Sequence, residues 1–194
     1  MTDNTKSLLE SLLFVSQVPL TIESIRSVLQ DISSQQIHKH LQELKQEYKD
    51  KNRGLRIVEV AGGFQMVTDP QLSGYIKKFF RRPREKLLRA SLETLGIIAY
   101  KQPITRREIS QIRQVEVSQI IENLTNKGLL RVVGRKKVPG RPFVYGTTRQ
   151  FLLHFGLNSL KELPKIEDFK KWGLSKRFDQ GGNKNGVDSV AKKG

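Results

Sequence analysis

Few residues in this chain have the types and spacing that chemistry needs. His38 and His40 lie two apart in a stretch with helical periodicity. At about 100° per residue their side chains diverge by about 200°, so they cannot share a metal ion on one helix. His154 stands alone, and the cysteine count is 0, which removes thiolate ligands, disulfides and cysteine nucleophiles together. No pair of carboxylates sits in an apolar setting, and neither HExxH nor GxSxG occurs. The segment from Gly134 to Gly140 invites a phosphate-loop reading. Five residues separate its glycines where a Walker A motif has four, and Arg141-Pro142 follows in place of Lys-Ser/Thr. The reading is therefore no catalytic residue, no metal, no cofactor and no enzyme.

Charge remains. The 194 residues hold 35 Lys+Arg against 19 Asp+Glu, a formal net charge of +16, and the pI is near 10.2. Such a balance favours polyanionic partners and is silent about fold. It is concentrated in one loop, where Arg135, Lys136, Lys137 and Arg141 stand within seven residues. Lys and Arg suit phosphate contacts that displace counterions, so these four are the candidates for sequence-independent contact with a nucleic-acid backbone. Arg106, Arg107 and Arg113 extend that patch, as do Arg81, Arg82 and Arg84.

The elements that must carry these residues form a repeat. A shift of 84 residues lays Pro19-Leu20-Thr21 on Pro103-Ile104-Thr105, Ile25 on Ile109 and Val28 on Ile112. Each copy opens with an apolar helix, carrying Leu8, Leu9, Leu12 and Leu13 in the first and Leu92, Leu95 and Ala99 in the second. Each of these helices ends near a proline, which cannot continue it. A short second helix follows, capped by Thr21 in one copy and by the capping box Thr105-Arg106-Arg107-Glu108 in the other. The third helix starts at Ser33-Ser34-Gln35-Gln36 and carries the stripe Ile37, Leu41, Leu44, Tyr48. Its counterpart carries Ile120, Ile121 and Leu124 and closes at Gly128.

Two strands complete each copy. The first pair is expected over Leu55 to Val60 and Phe64 to Thr68, turning at Ala61-Gly62-Gly63. The second is expected over Leu129 to Val133 and Pro142 to Thr147, with Gly134 to Arg141 as the loop. The adjacent apolar pairs Ile57-Val58 and Val132-Val133 break the alternation and leave the buried face open. Asp69-Pro70 and Thr147-Thr148 begin short closing helices.

Helix–helix–helix–hairpin is the winged-helix plan. The expected fold is α+β and helix-rich, with two tandem winged-helix domains and a disordered basic tail. The N-terminal domain spans 5–80, a basic linker 81–87, the C-terminal domain 88–164 and the tail 165–194, with Phe169 and Trp172 in the tail as docking residues. Residues 1–80 hold 10 Lys+Arg against 9 Asp+Glu, whereas residues 81–164 hold 17 against 6. The exposed positions of the third helices (Gln35, Lys39, Gln42, Glu43, Gln46 and Glu47 in one; Glu116, Gln119, Glu122, Asn123 and Asn126 in the other) lack the basic surplus of a base-reading helix. Protein contact or solvation suits them better.

The run Leu92 to Ile109, with Gly96, Tyr100, Gln102-Pro103-Ile104-Thr105 and Glu108, closely resembles the signature of the segregation and condensation protein B family. So do Gly134-Arg135-Lys136, Pro139-Gly140-Arg141-Pro142, Tyr145-Gly146-Thr147-Thr148 and Phe155-Gly156-Leu157-Asn158-Ser159-Leu160-Lys161-Glu162-Leu163-Pro164. The resemblance covers about residues 5–164 and omits the tail. It implies a homodimer formed mainly through the N-terminal domains. It also implies binding to a kleisin, segregation and condensation protein A, and through it to the structural maintenance of chromosomes ATPase of bacterial condensin. The implied role is chromosome condensation and segregation at cell division. The second domain is then a kleisin platform, with Tyr100, Arg106 and Tyr145 as contact residues. The family often has a glycine and a Ser-Asp-Gly-like turn before the third helix of the second domain, where this chain has Gln114-Val115-Glu116-Val117-Ser118-Gln119.

The alternative is a winged-helix DNA-binding transcription regulator, which the helix-turn-helix plan and the basic second half would also suit. The N-terminus lacks the basic region of a secretory signal. The longest apolar run, Leu95 to Tyr100, is far below the ~18 residues of a membrane span. The expectation is a cytoplasmic, nucleoid-associated protein that touches no membrane and contacts DNA non-specifically.

Overall fold

The computed structural model describes residues 2–80 and 87–165. The first half runs α1 (Thr2–Val15), α2 (Ile22–Val28), α3 (Ser34–Asp50), β1 (Leu55–Val60), β2 (Gly63–Thr68), a 3₁₀ turn at Pro70–Leu72 and α4 (Ser73–Phe80). The second runs α5 (Arg89–Lys101), β3 (Ile104–Thr105), α6 (Arg106–Arg113), α7 (Ser118–Asn126), β4 (Leu130–Arg135), β5 (Phe143–Thr147), α8 (Arg149–Phe155) and a 3₁₀ turn at Leu160–Glu162. Both halves are winged helices: three helices and an antiparallel hairpin around one core each. Arg81, Arg82, Arg84, Phe169, Trp172 and nearly all of the 165–194 tail lie outside the described residues.

Local signals start and stop these helices. Ser33 accepts from the Gln36 amide while the Gln36 side chain accepts from the Ser33 amide, a complete capping box on α3. Thr105 and Glu108 do the same on α6, and Thr21 accepts from Ser24 on α2. The α3 stripe of Ile37, Leu41, Leu44 and Tyr48 is buried throughout and packs on Leu9, Leu13 and Ile25. Burial of each such side chain contributes about 1.5–3 kcal/mol. In the second half Leu95, Ile98, Ile109, Ile121 and Leu124 form the matching centre. Leu8 and Leu92, placed with the apolar helices by spacing, are each 43% exposed and lie outside the cores.

The hairpins depart from the expected boundaries. In the first, the turn is the two residues Ala61 and Gly62, with φ of 51° and 74°, as a type I′ hairpin requires. Gly63 is not a turn residue; it pairs with Val60 inside the ladder. A Cβ there would lie 2.7 Å from the Leu20 carbonyl oxygen, so glycine is required for close approach. Leu20 and Phe64 exchange two backbone hydrogen bonds of 2.8 Å at that crossing.

In the second hairpin Gly134 and Arg135, expected in the loop, extend β4, while Leu129 and Pro142 fall outside the strands. Val132 pairs with Tyr145 and Gly134 with Val144, so Val133 is bulged out of register. That bulge explains the adjacent valines. The strand β3, which two residues could not announce by period, pairs with β5 and gives the order β3-β5-β4.

Candidate interaction surface

The four wing cations divide into two pairs. The Arg135 guanidinium lies 4.1 Å from the centroid of the Phe143 ring and donates to the Arg141 carbonyl at 3.3 Å. The Lys136 ammonium reaches back 2.5 Å to Glu108. Lys137 and Arg141 are exposed beyond them. Glu108 therefore has two tasks: it completes the α6 capping box and anchors the root of the wing. The Lys136 ammonium and the Thr105 hydroxyl and amide hold its carboxyl down at about 2.

The expected extension of the patch is partial. Arg107 is exposed, and Arg106 is exposed while donating to Ser118 Oγ at 2.8 Å. Arg113 does not belong to it: its side chain is only 15% exposed and is ion-paired with Glu93. Its Nε is buried without a hydrogen-bond partner among the described residues. Arg113 and Arg89 together lower the Glu93 carboxyl below its ordinary value.

The other candidates are tied into the fold. The Tyr100 hydroxyl donates to the Pro164 carbonyl at 2.6 Å, and burial raises its pKa. Tyr145 is half-buried in β5, opposite Ile104 on one side and Val132 on the other. His38 sits edge-on to Phe64, while His40 Nδ1 faces Glu43 Oε2 at 3.4 Å. Among the described residues no group of three or more His, Asp or Glu is placed to hold a metal ion. The third-helix carboxylates are also engaged: Lys6 on α1 bridges Glu43 at 2.9 Å and Glu47 at 2.7 Å. Those pairs pull both carboxyls below their ordinary values.

Two features were missed by spacing. The Gln102 side chain accepts from the Thr147 amide at 2.8 Å and donates to the Ala99 carbonyl at 3.1 Å, tying the end of α5 to β5. A Cβ on Gly146 would meet Gln102 Oε1 at 2.7 Å. Gln102 and Gly146-Thr147 belong to separate sequence blocks, and only the fold shows that one serves the other. The second feature is apolar. α4 buries none of its residues, and Tyr75, Phe79 and Phe80 are 74%, 81% and 61% exposed. In the second half Leu88, Leu92, Ile112 and Val115 are likewise exposed, and the Arg113–Glu93 pair holds the end of α6 against α5. The available signal was the amphipathic spacing of Tyr75, Ile76, Phe79 and Phe80, which puts one apolar face opposite Lys77 and Lys78.

The family model of the segregation and condensation complex subunit ScpB matches residues 7–166. Segregation and condensation protein B of Desulforamulus reducens is 44% identical over 167 residues, covering 86% of this chain and 92% of that protein. The protein of that name from Moorella thermoacetica is 45% identical over 166 residues, covering 86% and 85%. The crystal structure of ScpB from Mycobacterium tuberculosis is 30% identical, covering 81% of this chain and 98% of that one with a TM-score of 0.40. With the family model spanning both winged helices and the relatives aligned over nearly their whole length, the chain belongs to the ScpB family of segregation and condensation complex subunits.

Proposed function

We propose that this chain is a non-enzymatic adaptor of a bacterial condensin. It binds the kleisin subunit, segregation and condensation protein A, and through it serves the structural maintenance of chromosomes ATPase in chromosome condensation and segregation. The observation that carries this reading is the family match over residues 7–166, which spans both winged helices. Domain 5–80 is read as the dimerisation unit and domain 88–164 as the kleisin platform, acting in the cytoplasm at the nucleoid. No helix among the described residues is long and apolar enough to cross a membrane. Self-association is supported by the exposed aromatics of α4 and by the nearly balanced charge of residues 1–80. A platform in the second half is supported by the exposed Leu88, Leu92, Ile112 and Val115. Tyr100, Arg106 and Tyr145 remain the residue-level proposal for kleisin contact, with Arg106 the most exposed of the three.

Co-purification with the kleisin tests the reading. A stable complex at micromolar concentrations is expected, and two folded proteins that fail to associate would overturn it. Native mass of the chain alone should correspond to two copies of 22.2 kDa.

The exposed Lys137 and Arg141 support a second contact, with the phosphate backbone of DNA. Replacing both by Ser should flatten the salt dependence of DNA binding by about two units. Replacing Arg135 and Lys136 as well should add less than a further two, because Phe143 and Glu108 already engage them. A transcription regulator would instead prefer one sequence by ~10³-fold or more over random DNA.

A further inference from the structure

The tip of the first hairpin is held by the second half of the chain. Arg149, the first residue of α8, donates from Nη2 to the Pro19 carbonyl at 2.9 Å and from Nε to the Ala61 carbonyl at 3.1 Å. The Ala61 amide donates to the Leu157 carbonyl at 2.9 Å, and the Gly62 amide donates to Asn158 Oδ1 at 2.8 Å. Asn158 is itself positioned, because its amide donates to Glu162 Oε2 at 2.7 Å. We infer that these four hydrogen bonds form a clasp that fixes how the two winged helices are presented to a partner and that sequesters the first wing.

Three physical points support this inference. In a two-residue hairpin turn the central amides have no partner in the ladder, so Ala61 and Gly62 offer donors that must be satisfied elsewhere. The close crossing at Gly63 brings the Pro19 carbonyl beside the turn, where one planar guanidinium can serve two acceptors at once. Every group contributed by the first half is backbone, whereas the second half contributes the side chains of Arg149 and Asn158. The contacts are polar, and one arginine and one asparagine supply all of the side-chain groups, so two substitutions suffice to test them. While it is closed, the first hairpin tip cannot enter a nucleic-acid groove, and the cationic second wing is the one left exposed.

The test uses the full chain and reads amide exchange residue by residue. In the wild-type protein the Ala61 and Gly62 amides should exchange at least ~10-fold more slowly than unstructured amides, since closing the clasp is what protects them. In the Arg149→Ala/Asn158→Ala variant both should approach the unstructured rate while Leu41 and Ile98 in the two cores stay protected. Unprotected Ala61 and Gly62 in the wild type would overturn the clasp whether or not the variant folds. So would protection that survives both substitutions. The absence of native cysteine permits a second readout with spin labels at Ser27→Cys and Asn123→Cys, diluted with unlabelled chain. The distance distribution should be narrow in the otherwise wild-type chain and at least about twice as wide in the Arg149→Ala/Asn158→Ala background. Equal widths would overturn the inference.

Discussion

Glu108 shows how much one side chain can organise at the scale of the residue. Its carboxylate accepts from the Thr105 amide and hydroxyl and from the Lys136 ammonium. Its folded pKa of about 2 lies below the unfolded value near 4.5. A carboxyl depressed in this way stabilises the fold above the unfolded value, and the contribution is lost as pH falls from about 4.5 toward 2. Gln at this position keeps the capping box but does not titrate. Wild type should therefore melt above Glu108→Gln at pH 6, and the gap should close by pH 2. The pair is exposed, so the gap should correspond to only about 0.2–1 kcal/mol. The sequence announced the cap, since Thr105 and Glu108 stand at the required spacing. It could not announce the ion pair, because 28 residues separate Glu108 from Lys136 and only the β4–β5 hairpin closes that distance.

Backbone conformation decides the outcome for turns and strands. Gln114, the residue after α6, has φ of 55°, in the left-handed region that costs a side-chain-bearing residue about 1–2 kcal/mol. Gln114 is engaged within the fold, so Gln114→Gly sets relief of that strain against loss of its contact and the entropic penalty of glycine. The neighbouring glycines of the first hairpin should respond differently. Gly62→Ala meets open space and suffers only its φ of 74°, about 1–2 kcal/mol. Gly63→Ala drives a Cβ into the Leu20 backbone and should cost about 1–3 kcal/mol, with loss of the Leu20–Phe64 hydrogen bonds. Periodicity and caps made the long helices legible, down to the four buried residues of α3. Two-residue β3 and the bulge at Val133 were not legible, because pairing across distant chain creates both.

At the scale of the molecule, the +16 charge resolves into cations with different occupations. Arg149 belongs to the clasp, Arg113 to Glu93, Lys136 to Glu108 and Arg135 to Phe143. The sequence located the basic half but could not separate these from Lys137 and Arg141, since their partners lie on other elements. The order β3-β5-β4 also leaves the outer edge of β4 unpaired among the described residues. An open edge bearing exposed Val132 and Val133 invites stacking with the edge of another molecule. The bulge at Val133 interrupts that edge, and Arg131, Arg135 and Lys137 surround it with like charge. The wing cations thus give the protein colloidal protection even in the absence of DNA. Replacing Arg135, Lys136, Lys137 and Arg141 by Ser together should raise light scattering in concentrated solution free of DNA, and so should salt added to the wild type, which screens the same repulsion. Scattering that neither change moves would remove that role from the wing.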